Sequence, residues 1–204
     1  MAQVQKNISL ASLYLASQSP RRAELLRQIG VPFLQFGVDI LEQYGIDETP
    51  EHYVCRLAKK KAQAGLEYIQ RHKMPLKPVL GADTIVVCDQ QVLEKPENFQ
   101  AASKTLSILS GRSHNVMSAV AITDGVSSRV VVATTRVHFR PISAAEIKRY
   151  WHTKEPCDKA GAYGIQGLGA VFVSAIEGSY SNVVGLPLET IMPLLAEFQI
   201  DYWQ

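Results

Sequence analysis

The chain has 204 residues, 47% hydrophobic and 20% charged, with a formal net charge of +2. This composition excludes a disordered or collagen-like chain and suffices to bury a core, expected as one domain over residues 1–204. So small a charge excludes a surface that coats nucleic acid, and any anion site must therefore be local.

Residues 1–12 read as a flexible N-terminal extension, with one lysine and no continuous apolar run. No later run approaches the roughly 20 residues that a membrane span needs, so no membrane partner and a cytoplasmic location are expected. Cys55, Cys88 and Cys157 form no CxxC pair and leave one thiol over in any disulfide scheme. They point to a reducing compartment, with no structural zinc.

Leu13 to Ala16 reads as a short buried strand and Arg21 to Ile29 as a helix ended by Gly30. A second helix spans about Glu51 to Arg71, with Val54, Leu57, Ala58, Ala62, Leu66 and Ile69 at helical spacing. PVLGADTIVVCDQQVLEK reads as a buried strand entering a hairpin that turns near Asp89 to Gln91. Phe99 to Leu109 is a predicted helix, and His114 to Ile122 and Ser128 to Phe139 are strands joined at Asp124-Gly125. Ser143 to Glu146 has the form of a capping box, opening a helix over about 144–152. A glycine-rich stretch, a short strand at Ala170 to Val173 and a final helix opened by Pro187 complete the chain. Pro193 is expected to kink or restart that helix. The order of elements is mixed α/β.

Four stretches place polar groups where local physics favours something else. In Ser17-Gln-Ser-Pro-Arg-Arg22, Ser19 is a good N-cap and Pro20 fits the first helical position. Arg21 and Arg22 then fall in the first turn, at the positive end of the helix dipole, where a cation is disfavoured. Free N–H groups and guanidinium forks there suit phosphate, the plain alternative being a capped helix whose arginines reach neighbours such as Glu24. Asp83 of GADT sits inside an apolar strand, where a carboxylate needs a cation, a metal or several donors; it is a candidate general base or metal ligand, or a structural cap. Lys95 of Glu94-Lys95-Pro96 closes the hairpin strand and could meet a phosphate, or simply be solvated. KAGAYGIQGLG carries four glycines around Tyr163 and Gln166 without a dinucleotide fingerprint. Its glycines permit close approach of backbone to a ligand, and the Gln166 amide suits a base edge; the alternative is a tight turn. Lys61 lies four residues after Leu57 and leans toward the core face, which alone reads as a snorkelling lysine. Together the set favours phosphate-ester or nucleotide chemistry, and no Walker A, GxSxG or HExxH motif is present.

LASQSPRRAELL, RLAKKKA, VLGADTIVV, VLEKP, KAGAYGIQG and NVVGLPL resemble, in order, the signature segments of the Maf family of nucleoside triphosphate pyrophosphatases. The resemblance implies a mixed α/β fold on an elongated, strongly curved sheet flanked by helices, akin to inosine triphosphatase, with two lobes about a central cleft and frequent homodimers. It implies hydrolysis of a nucleoside triphosphate between the α and β phosphates with a divalent cation, Mg2+ or Mn2+. By motif, Asp83 matches the proton acceptor. Ser17, Ser19, Arg21 and Arg22 fall in the phosphate-side loop, and Lys61 and Lys95 match the family's lysines. Glu42 matches a metal-site carboxylate beside Asp83, although Leu41 stands where a second acid is common. Arg21, Thr84 and Gln166 resemble the subgroup acting on dTTP and UTP, whereas 7-methyl-GTP enzymes tend to carry Trp, Gln and Glu there. Two alternatives accompany this expectation: a 7-methyl-GTP pyrophosphatase and a nucleotide-binding regulator of cell division. No nucleic-acid partner is expected.

Overall fold

The computed structural model describes residues 10–203. Of the expected N-terminal extension, residues 1–9 lie outside the described residues, Ala11 is buried and Ser12 bonds the Pro32 carbonyl through both its amide and its hydroxyl.

The chain divides into two compact units. Among the described residues, the first comprises 10–83, 119–132 and 185–203, and the second 84–118 and 133–184. Among the described residues the strands form a seven-stranded sheet, built from β1 (Leu13–Ala16), β2 (Phe33–Phe36), β3 (Val79–Cys88), β4 (Gln91–Leu93), β5 (Ser113–Thr123), β6 (Ser128–Phe139) and β7 (Val173–Glu177). Its order is β2-β1-β3-β5-β6-β7, with β4 paired to β3. β1 pairs parallel with both β2 and β3, while β3/β4 and β6/β7 are antiparallel, so the sheet is mixed. Six helices accompany it among the described residues: α1 (Pro20–Gln28), α2 (Pro50–Arg71), α3 (Phe99–Leu109), α4 (Ala144–His152), α5 (Tyr180–Val184) and α6 (Leu188–Glu197).

β3 reads as a nearly continuous apolar run, and every residue of it except Thr84 is buried. In the first unit, the apolar stripe of α2 supplies Leu66 and Ile69 to a cluster with Tyr14, Ala16 and Val79. Two glycines let helix and sheet approach. A Cβ built on Gly81 would lie 2.2 Å from the Ala62 amide nitrogen and 2.5 Å from the Ala58 carbonyl oxygen, and one on Gly65 would lie 2.6 Å from Ala16 Cβ. Helix backbone therefore packs on strand backbone at Gly81.

In the second unit, Leu106, Leu109, Val137, Phe139, Ile147, Tyr163 and Phe172 belong to one apolar cluster. The capping box at Ser143 forms with both reciprocal bonds to Glu146. The β3/β4 hairpin turns through Asp89 and Gln90, both at positive φ, without the glycine such turns prefer.

Two expectations are corrected. Residues Leu168–Phe172 form a 3-10 helix, not a strand, and β7 begins only at Val173, which lies opposite Phe139 on β6. Of the kink or restart expected at Pro193, the restart does not occur, since α6 is one helix from Leu188 to Glu197 with Pro193 inside it. β2 and α5 carry no strong local signal. Cys55, Cys88 and Cys157 are all free thiols. Among the described residues no helix is long and apolar enough to cross a membrane.

Candidate functional site

The first unit gathers most of the candidate residues. Ser19 is the N-cap of α1, with an extended backbone and a hydroxyl 3.5 Å from the Arg22 amide, and Pro20 occupies the first turn. Arg22 is buried at 9% exposure. Its Nε donates to the Gly185 carbonyl at 2.9 Å and its Nη1 to Ser17 Oγ at 3.2 Å. Burial pushes the guanidinium pKa down; the Asp83 carboxylate pulls it back up, Arg21 opposes and Glu42 assists. The cation that the helix dipole disfavours thus lies in the field of two carboxylates from elsewhere in the unit. Arg21, one position earlier, is half-buried.

Sequence reasoning missed the residue that shapes this loop. The Gln35 amide, on β2, donates to the Ser17 carbonyl at 2.8 Å and the Ser19 carbonyl at 3.2 Å, while Ser17 Oγ accepts the Ser19 amide at 3.2 Å. These bonds fix the carbonyls of the serine loop on the β2 side. The available signal was a glutamine inside the apolar strand FLQF.

Asp83 is 6% exposed, in the middle of β3. The cation that such a carboxylate requires is Lys61, whose Nζ lies 2.7 Å from Asp83 Oδ1 and 2.5 Å from Glu42 Oε1. The lysine side chain is only 12% exposed, so it does not snorkel into water. The backbone contact at Gly81 explains the pairing: it seats Ala62, the residue after Lys61, against the strand two positions before Asp83. Ser17, Ser19, Arg22, Glu42, Lys61 and Asp83 are thus assembled within one unit.

Glu42 and Asp83 direct hard oxygen donors at one cation position. Two carboxylates, with further places for water and phosphate oxygens, suit Mg2+ or Mn2+ in the place of the ammonium. Among the described residues no group of three or more His, Cys, Asp and Glu converges, so the protein would contribute at most this pair.

The second unit carries Thr84, Lys95 and Gln166. Thr84 follows Asp83 on β3, and its Oγ1 lies 2.8 Å from Ser118 Oγ. Ser118 donates its hydroxyl proton to the Asn182 carbonyl at 2.9 Å, so Thr84 is the donor in their pair. Asn182, fully buried, accepts the Ser118 amide and donates to the Val116 carbonyl and Thr135 Oγ1. This network locks the Thr84 rotamer. Lys95 is exposed just beyond β4.

Gln166 is exposed at the tip of the glycine loop. The glycines were expected to admit a ligand, but their space is filled from within the unit. A Cβ on Gly167 would lie 2.3 Å from Glu155 Oε2, and one on Gly169 would lie 2.5 Å from the Tyr150 hydroxyl. Glu155, which sequence reasoning passed over, accepts from the Leu168 amide at 2.7 Å, the Gly169 amide at 2.9 Å and the Tyr150 hydroxyl at 2.7 Å.

Comparison with known proteins follows the same segments. The family model described as Maf-like protein matches residues 12–198. A protein of Saccharophagus degradans named dTTP/UTP pyrophosphatase is 50% identical over 199 residues, covering 98% of this chain and 94% of the relative. One of the same name from Vibrio parahaemolyticus is 52% identical over 187 residues, covering 92% and 97%. Among solved structures, the Ham1 protein of Staphylococcus aureus superposes with a TM-score of 0.41 at 12% identity, over 62% of this chain and 71% of that one, a likeness too loose to argue from. A family match across nearly the whole chain, with half the residues shared by full-length relatives, establishes that this chain belongs to the Maf family.

Proposed function

We propose that this chain is a nucleoside triphosphate pyrophosphatase that hydrolyses dTTP and UTP between the α and β phosphates, releasing the monophosphate and pyrophosphate. Its membership of the Maf family and the names of its relatives support the reaction. The observation that carries it is the buried Asp83 carboxylate, set with Glu42 about the Lys61 ammonium and within the field of Arg22.

Asp83 orients an attacking water and takes its proton, a role that needs a carboxylate held in a dry wall with one partner that can move. Lys61 is that partner, since its ammonium can turn from the carboxylates to a phosphate oxygen on its flexible stem. The Ser17 to Ser19 loop and the start of α1 offer N–H groups and Arg21 to the triphosphate, and Lys95 adds a compact charge. Arg22 holds the loop's shape through Ser17 and adds its field. Glu42 and Asp83 would hold Mg2+ or Mn2+, which when bound supplies charge neutralisation to the triphosphate. Thr84 and Gln166 sort the base. A homodimer and a cytoplasmic location belong to this proposal, the former read by light scattering of the purified chain.

A nucleotide panel with pyrophosphate and phosphate measured separately tests the reading. It expects pyrophosphate in step with monophosphate, fastest for dTTP and UTP. Inorganic phosphate with a diphosphate product, or binding without turnover, contradicts it.

A further inference from the structure

An exposed glutamine on a loop with glycines at positions 164, 167 and 169 ought to be a poor reader of anything, because each glycine multiplies the conformations available to it. Discrimination between bases needs a donor and acceptor held in place before the ligand arrives. The second unit shows what holds them. The Glu155 carboxylate gathers the Leu168 amide, the Gly169 amide and the Tyr150 hydroxyl, all at 2.7 to 2.9 Å. Tyr150 in turn accepts the Gly164 amide at 3.2 Å, so one phenol and one carboxylate grip both ends of the loop. The missing Cβ atoms of Gly167 and Gly169 are what let Glu155 and Tyr150 come this close. Burial works against the Glu155 charge, but bonds from Gly169, Tyr150 and Leu168 outweigh it and hold the carboxyl below its ordinary pKa.

We propose that Glu155, through Tyr150, is a positioning residue for base selection: it fixes the backbone from Gly164 to Gly169 and so sets where the Gln166 amide points. The proposal rests on the reading of Gln166 as the residue facing the base. The groups assigned to the chemistry, Asp83 and Lys61, belong to the other unit, so loosening the loop weakens recognition and leaves the chemical step nearly intact. The grip needs three acceptor positions on one carboxyl group. Glu155→Gln keeps the shape but places an NH2 donor against an N–H or O–H donor, and thereby releases one end of the loop.

The experiment is steady-state kinetics of E155Q, Y150F, Q166A and E155Q/Q166A on dTTP, UTP and dATP, with folding followed by circular dichroism. E155Q is expected to raise KM for dTTP and UTP about tenfold and to cut the dTTP over dATP preference in kcat/KM by a similar factor, with kcat within about threefold of the parent. Y150F, which keeps the ring and removes only the phenol bonds, moves both quantities the same way by about threefold, and it decides the matter if E155Q does not fold. In E155Q/Q166A the preference is no lower than in Q166A alone, because both changes act through one amide. Parent KM and preference in folded E155Q and Y150F overturn the proposal. So does an equal fall of kcat and kcat/KM for all three nucleotides, or a preference in the double variant that drops by the product of the single effects. Parent preference in Q166A overturns the base-facing reading of Gln166 and this proposal with it, whereas an effect of Q166A without one from E155Q or Y150F overturns this proposal alone.

Discussion

Asp83 and Lys61 carry opposite charges that neither strand nor helix would bury alone. Removing Lys61 leaves Asp83 without its ammonium in a dry wall, which costs about 3 kcal/mol or more, whereas removing Asp83 along with it costs much less, and removing Asp83 alone leaves Lys61 still paired with Glu42. Lys61→Met is therefore expected to lower stability by about that amount and K61M/D83N to recover most of it, read by urea unfolding; equal losses in both variants would refute the coupling. Asp83→Asn alone should cut turnover by at least about 100-fold while the chain stays folded. His114 is a second buried group, 3% exposed, with Nε2 bonded to the Tyr163 hydroxyl at 2.8 Å. Burial, helped by the charge of His138, pushes its pKa from 6.5 to about 4. The unfolded chain then binds a proton that the native chain refuses as pH falls from 6.5 toward 4, so stability is complete above that window and is lost within it. The loss amounts to about 3 kcal/mol. Unfolding midpoints at pH 7 and pH 4.5 should fall less far in His114→Phe than in the parent chain, and an identical fall in both would contradict this.

At the scale of elements, the contact between α2 and β3 is the decisive one. Gly81→Ala forces a methyl into the Ala62 backbone, which cannot move as a side-chain tip could. The expected cost is about 3 kcal/mol with turnover falling alongside, because Lys61 rides on the displaced turn. A stable and fully active G81A would refute the backbone contact. The same contact shows what was legible. The stripe of α2, the Ser143 capping box and the Ser19-Pro20 helix start were plain in the sequence, because each is written in neighbouring residues. Gly81 gave no hint of its role, since its reason is an atom of Ala62, nineteen residues away. Residues 168–172 misled for a related cause. The apolar run Ala170 to Val173 fits either a strand or a helical turn by periodicity, and the bonds from the Leu168 and Gly169 amides to Glu155 decided for the turn.

Across the whole molecule, the candidate residues were recognisable one motif at a time, but their division of labour was not. The chain passes from one unit to the other between Asp83 and Thr84, so the residue assigned to the chemistry and the first residue assigned to the base are chain neighbours in different units. By spacing alone Lys61 looked like a rim lysine, and only the family resemblance drew it toward the site; a carboxylate from a strand and another from a loop stand at its tip. Gln35 and Glu155 were missed because each acts on backbone distant in sequence, through bonds that no spacing announces. Chelation is expected to abolish turnover, and the same treatment should leave the unfolding midpoint nearly unchanged, since Lys61 already satisfies Glu42 and Asp83 without an ion. The most direct test of the central claim is hydrolysis of dTTP in water enriched in oxygen-18, with both products analysed by mass. Attack at the α phosphorus places one labelled oxygen in the monophosphate and none in pyrophosphate, whereas label in pyrophosphate or release of inorganic phosphate would contradict the account.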